Sequence, residues 1–238
     1  MFTFKGETST SYEVREKTVK HTVLPPVSTK TLELPFHDGV LDFGRVYGSR
    51  TIEVTIGIKG ISYGDLRSKV RRVAKWLDSE TLQPLIFSDE PNIQYMARVS
   101  DDTSLDQLLY YGETTLKFFV PNPFGEDVHE TTLNISSGQV VNYDGTRACY
   151  PIFTVKTTNA LSDFQISNGV EKVKVVTELP VGSILVIDMK AGKVTLNGTV
   201  IQQAITLDSD FFPLKVGSNT LTFSNGATVQ MKYKRLWL

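Results

Sequence analysis

Five consecutive residues, Gly60-Ile61-Ser62-Tyr63-Gly64, spell the G-x-S-x-G pattern, in which a serine on a tight strand-to-helix turn becomes an acyl-transfer nucleophile. A strand pattern precedes them and a helical one follows, the setting that chemistry needs. The rest of the machinery is not spelled out. A hydrolase of that kind uses a parallel sheet with repeated crossover helices, and this chain shows one good helix pattern. Only His129 follows the serine, and no glycine-rich HGGG-type run precedes it to supply an oxyanion donor. The simpler reading makes Gly60 the end of a strand and Ser62 the cap of the next helix.

The other reactive side chains are dispersed. His21, His37 and His129 lack any H-x-H, H-E-x-x-H or Cys/His spacing that would make them metal ligands. Cys149 is the only cysteine, so an internal disulfide is excluded, and between Ala148 and Tyr150 it reads as a small buried or half-buried residue. Asp101-Asp102 and Asp208-x-Asp210 offer carboxylates, but not the six or more oxygen ligands of a calcium site, and read as solvated turns. Arg67, Arg71 and Lys75 recur every four residues, with Lys69 and Arg72 beside them. Without interleaved aromatics or a basic domain they read as a solvated or subunit-facing helix surface rather than a nucleic-acid stripe. Tyr110, Tyr111, Tyr143 and Trp237 would stack on a sugar only if the fold gathered them, and scattered aromatics in a strand-rich chain are mostly core. No catalytic residue, metal site or cofactor site is expected.

Composition narrows the field further. The 238 residues are 40% apolar and 21% charged, an ordinary globular balance that excludes wholesale disorder. Lys and Arg number 25 against 26 Asp and Glu, for a net charge of -1, which disfavours non-specific binding to phosphate or a membrane surface. Neither half hides an imbalance. The opening MFTFKGETST has no charged-then-apolar stretch of signal-peptide type, and no apolar run is long enough for a membrane span, so folding in a cytosol is expected.

The elements that must position these residues are mostly strands. RTIEVTIGI (Arg50–Ile58) places Ile52, Val54, Ile56 and Ile58 on one face, the mark of a half-buried antiparallel strand. The same alternation recurs at Ile93, Tyr95, Ala97 and Val99 and at Leu116, Phe118 and Val120. Phe2–Phe4, Lys17–Val23 and Thr29–Leu34 read as further strands, with a turn at Asp38-Gly39. One helix is predicted over Asp65–Ser79, where Leu66, Val70, Val73 and Leu77 form an apolar stripe; Ser62 and Asp65 give a capping-box pattern at its start. In the second half Asn168-Gly169, Asn197-Gly198 and Asn225-Gly226 each predict a hairpin turn, and short strands at that spacing indicate an antiparallel sandwich. Pro-Asn-Pro and a charged patch over Pro121–Glu130 put the boundary there, giving domains 1–130 and 131–238. The fold class is α+β, with all-β as the alternative.

Several longer segments carry a family resemblance. LPPVSTKTLELPFHDGVLDFGRVYGSRTIEVTI (Leu24–Ile56), AKWLDSETLQPLIFSDEPNIQYMARV (Ala74–Val99) and TTLKFFVPNPF (Thr114–Phe124) resemble the first domain of the distal tail proteins (Dit) of long, non-contractile-tailed bacteriophages and related prophages. DGTRACYPIFTV (Asp144–Val155), VGSILVIDMKAGKVTLNG (Val181–Gly198) and LDSDFFPLKVGSNTLTFS (Leu207–Ser224) are similar to that family's galectin-like C-terminal domain. The resemblance implies a mainly β chain: a tail-tube-like N-terminal β-sandwich with one helix, then a galectin-like antiparallel β-sandwich. It further implies a structural, non-enzymatic component of the tail tip or baseplate hub. Such a protein forms a homo-hexameric ring joining the major tail tube protein to a tail-associated lysin, hub or receptor-binding protein. DNA only passes through the channel, no membrane is bound, and the part is assembled in the host bacterial cytoplasm. The alternative is a carbohydrate-binding adhesion module in the C-terminal sandwich, although the H-x-N-P-R run of galectin lectins is missing from this sequence.

Overall fold

The computed structural model of the chain describes residues 1–36, 38–100 and 105–238. Contacts divide it into two compact units, Met1–Glu126 and Asp127–Trp237. Strand dominates both, and the described residues hold one α-helix and two short 3-10 turns.

The first unit contains β1 (Phe2–Phe4), β2 (Glu7–Thr8), β3 (Val14–Lys20), β4 (Val27–Glu33), β5 (Val40–Tyr47) and β6 (Arg50–Lys59). It continues with α1 (Tyr63–Leu77), β7 (Gln83–Phe87), β8 (Ile93–Val99), β9 (Asp106–Leu108) and β10 (Tyr111–Val120). Hydrogen bonding orders them β2-β1-β7-β8-β10-β6-β3, with β9 added to β10. Strands β8 and β10 share only two residue pairs, Phe118↔Val99 and Phe119↔Arg98, whereas β10 and β6 pair over ten. The two halves of the sheet therefore join by a narrow seam and enclose one core between them. Ile52, Val54, Ile56 and Ile58 of β6 and Leu116, Phe118 and Val120 of β10 are buried in it, as their alternation predicts; Phe2, Phe4, Leu85, Phe87, Tyr95 and Ala97 come from the other half.

The helix closes this core. Leu66, Val73 and Leu77 are buried and Val70 packs against them, so the predicted stripe is the packed face. Trp76 adds what periodicity alone did not single out. Its indole stacks on Tyr12 at 4.5 Å and on Phe2 at 5.5 Å, and its Nε1 donates to the Phe4 carbonyl at 3.0 Å. A buried indole N–H without that acceptor would carry a desolvation penalty, so the contact fixes β1 against α1. The helix starts at Tyr63, two residues before the expected Asp65, because the Ser62 cap already supplies its first turn.

Strands β4 and β5 leave this body. They pair only with each other, as a separate two-stranded sheet, and nearly every residue in them is exposed. We refer to this hairpin as the arm.

In the second unit, β11 (Gly125–Asp127) crosses the boundary and is followed by β12 (Thr131–Ile135), β13 (Gln139–Tyr143), β14 (Ile152–Thr157), β15 (Leu161–Ser167) and β16 (Lys172–Leu179). Then come β17 (Ile184–Asp188), β18 (Lys193–Leu196), β19 (Thr199–Val200), β20 (Gly217–Phe223), β21 (Ala227–Tyr233) and β22 (Leu236–Trp237). Strand β22 pairs with β11, while strands β12 to β21 form a six-stranded sheet, β12-β21-β14-β17-β18-β19, and a four-stranded one, β13-β20-β15-β16. Inward residues of both, among them Phe153, Phe164, Ile187, Phe212, Leu221 and Met231, make a single core. This is the expected antiparallel sandwich.

Of the three Asn-Gly turns, one behaves as expected. Asn197 and Gly198 both take positive φ, 49° and 84°, and Leu196 pairs directly with Thr199, so this is a two-residue hairpin. Asn168-Gly169 instead opens a four-residue loop between Ser167 and Lys172, because the Asn168 side chain accepts from Val170 N and Glu171 N and widens the turn. Asn225-Gly226 is not a hairpin at all. It carries the chain from β20 in one sheet to β21 in the other, with the Gly226 carbonyl accepting from Thr158 N and Asn159 N.

Candidate assembly surfaces

Ser62 ends where its local bonds put it. Its Oγ accepts from Asp65 N at 3.2 Å, and Asp65 Oδ2 in return accepts from Ile61 N at 2.9 Å, a reciprocal cap. Gly60 is needed beside it, since a Cβ there would meet Leu66 N at 2.8 Å. His21 follows the end of β3, where Lys20 pairs with Glu53, about 20 Å along β6 from Lys59 at the rise of a strand. There His21 lies edge-on to Phe87 at 4.8 Å. His129 is exposed in the second unit, and no histidine hydrogen-bonds Ser62 among the described residues. His37 and the Asp101-Asp102 pair lie outside the described residues.

Cys149 is buried in the second core, and burial pushes its thiol up to about 11, away from the thiolate that a nucleophile requires. Asp208 sits at the surface in an ion pair with Lys172 at 2.6 Å; that ammonium, helped by the Thr206 hydroxyl, holds its carboxyl at about 2. Asp210 donates its backbone N–H to Lys172 O and belongs to the same turn. No group of three or more His, Cys, Asp or Glu side chains comes together among the described residues.

The named aromatics serve separate duties. Tyr63 and Tyr110 meet edge-to-face at 5.0 Å, and Lys17 sits 4.9 Å from the Tyr111 ring centroid. Tyr143 is fully buried, its hydroxyl donating to Arg147 O at 2.6 Å and accepting from Leu236 N at 2.9 Å. Trp237 donates to Asp127 Oδ1 at 2.9 Å, and Arg235 Nε donates to the other oxygen of Asp127 at 2.6 Å. The outer face of the six-stranded sheet carries an open groove of about 790 Å³. Asn134, Thr154, Lys156, Thr228 and Gln230 line it, and none of the four named aromatics does.

What remains are surfaces suited to contact. On α1, Lys69 and Arg72 are both drawn to Glu13, at 2.6 and 2.9 Å. Arg67, Arg71 and Lys75 are exposed and have no acidic partner among the described residues. The arm exposes Leu32, Phe36, Val40, Leu41, Phe43 and Val46. Sequence reading missed this exposure, although VSTKTLE held a signal, since neither face of that strand is apolar enough to be buried. Strand β3 is a sheet edge with open hydrogen-bonding groups on one side.

Just past the arm, Arg50 is 2% exposed and its guanidinium lies 5.7 Å from the Tyr95 ring centroid. Its Nε and Nη2 have no hydrogen-bond acceptor among the described residues. Arg50 continues the inward parity of Ile52, Val54, Ile56 and Ile58, so the alternation of β6 already placed it on the buried face, a signal that its charge masked.

Comparison with known proteins agrees with this picture. Residues 8–120 match the family model described as phage tail protein RIFT-related domain, and residues 144–237 match siphovirus-type tail component, C-terminal domain. The distal tail protein of Bacillus phage SPP1 is 29% identical over 161 residues, a stretch spanning 66% of this chain and 64% of that protein. The crystal structure of SPP1 Dit superposes with a TM-score of 0.85, covering 98% of this chain and 99% of that one at 20% identity, which shows a shared fold. Two phage-tail domain models in succession and a distal tail relative matched in sequence lead to one assignment: this chain is a siphovirus-type phage tail component, similar to the distal tail proteins (Dit).

Proposed function

We propose that the chain is a structural part of the tail tip that acts by shape. Six copies close into a ring that joins the tail tube protein to a tail-associated lysin, hub or receptor-binding protein, and DNA passes through its channel. One observation carries the reading, the arm. A two-stranded hairpin is marginally stable by itself, and this one exposes apolar side chains that a free chain gains nothing by displaying. A surface of that kind is useful when a neighbour covers it. Because arm and body differ, each copy offers one surface and receives another, and such head-to-tail contacts make a ring when the rotation closes. The open edge of β3 adds a second place for a neighbouring strand.

The SPP1 relative is called a distal tail protein, and its structure is described as a paradigm of the hub adsorption apparatus in phages that infect Gram-positive bacteria. That description supports a hub role here, with residence in the virion at the tail tip and assembly in the host cytoplasm. In this reading Ser62 is a cap and no bond of any substrate is broken. No helix among the described residues is long and apolar enough to cross a membrane. Light scattering and negative-stain microscopy of the purified chain, alone and mixed with the tube and hub proteins of its phage, are expected to show hexamers. Replacing residues 28–46 by a short Gly-Ser link should abolish them. A chain that stays monomeric and binds neither partner overturns the reading.

A further inference from the structure

Two surfaces of the first unit are complementary to each other. The outward side of α1 presents Arg67, Arg71 and Lys75 at successive turns, a row of three cations about 12 Å long at the helical rise. Their neighbours Lys69 and Arg72 are balanced by Glu13 and Asp65, so the row is what remains of the helix charge. A groove of about 290 Å³ runs beside it, floored by Leu66, Val70 and Leu105 and walled by Arg67, Arg71 and Gln107. The helix thus offers cations next to an apolar slot.

The arm offers the converse. Thr31 pairs with Asp42 and Glu33 with Val40, so Glu33 and Asp42 lie on one face as diagonal neighbours. Leu32 pairs with Leu41 on the opposite face. Asp42 Oδ1 accepts from Gly44 N at 2.8 Å, which holds that carboxylate in place at the bulge. Both acids are exposed, as is Val40, the apolar side chain on their face. The strands span about 23–27 Å, enough to reach beyond the body that carries them.

We propose that the arm of one copy lies along α1 of a neighbouring copy, Glu33 and Asp42 facing Arg67 and Arg71. The inference rests on the ring reading above and names the contact that would close it. Charge complementarity selects a second copy as the occupant, because this chain itself supplies both signs, each beside apolar surface, while its net charge is only -1. Interleaved charges at such a contact also fix register, which a ring of identical subunits needs.

The test is a charge reversal read by native mass spectrometry and light scattering, under whichever condition, alone or with tail partners, gives hexamers. Glu33→Lys/Asp42→Lys and Arg67→Glu/Arg71→Glu should each raise the concentration needed for hexamers by roughly tenfold or more, since like charges then meet. Combining all four should restore it. Circular dichroism of each variant confirms that the monomer is intact, and all four positions are exposed. Hexamers indifferent to either reversal, or a combination that rescues nothing, overturn this contact while leaving the ring standing. Rings that persist in the helix variant, together with lost retention of double-stranded DNA, assign the row to DNA and overturn it as well. A parent chain that never associates overturns the ring and this contact with it.

Discussion

Replacing Arg50 by methionine should make the chain more stable, although it deletes a charge from the sequence and a ring contact from the fold. Arg50 is 2% exposed, and its Nε and Nη2 lack acceptors among the described residues. An unsatisfied buried donor costs ~1–3 kcal/mol, and a charged one more. Against this stands the stacking on Tyr95, worth ~0.5–2 kcal/mol. Methionine keeps most of the aliphatic stem and the volume over the ring, so little packing is lost. The balance favours the variant by ~1–3 kcal/mol, in line with buried ionic groups replaced by apolar ones. Urea unfolding of the full chain, followed through Trp76 emission in a Trp237→Phe background, reads the first unit alone. Its midpoint should rise in Arg50→Met and stay below that variant in Arg50→Ala, where a cavity adds ~2–4 kcal/mol of cost. An Arg50→Met chain less stable than its parent would refute the reasoning, because the guanidinium would then have to be well satisfied where it lies.

Ser62→Ala should lower the stability of the first unit by ~1 kcal/mol through loss of the bond from Asp65 N, and a fluorophosphonate probe should leave Ser62 unlabelled in the parent; labelling there would reverse the capping assignment. Cys149 should stay unreactive to a thiol reagent at pH 8 and react once the chain is unfolded. Burial raises its pKa, so the stability it contributes is full below the unfolded thiol's range and fades as pH climbs towards about 11; rapid native labelling would contradict this. Asp208, held at about 2 by Lys172, contributes stability that is present above its ordinary carboxylate range and is lost as pH falls through that range towards 2. Stability curves of the parent and Lys172→Gln should therefore differ at neutral pH and converge in acid, and a gap that widens in acid would be the wrong sign.

Much of this architecture is written in local pattern. The alternation at Ile52–Ile58 and the stripe Leu66–Leu77 marked a strand and a helix because one face of each must be apolar to be buried. Ser62 was legible as a cap because its bonds reach no further than Asp65. What long-range pairing decides was not legible. Asn225-Gly226 has the composition of a hairpin turn, yet its two strands belong to opposite sheets, and that choice rests on β13, β14 and β15 rather than on the turn. The exposure of the arm is likewise set by what it packs against, which no window of neighbouring residues reports, whereas Arg50 sits at the inward parity of β6 and its burial follows from register.

The order of strands in the second sandwich has a bearing on how the polypeptide is made. β21 lies between β12 and β14, so two strands translated early must await one translated about seventy residues or more later before the larger sheet can zip. The first unit has a comparable wait, β1 for β7 about eighty residues on, but its ladders are complete within residues 2–120. On the ribosome, one half would therefore mature while the other still trails as unpaired ribbon, and that interval is when the nascent chain is most exposed to aggregation.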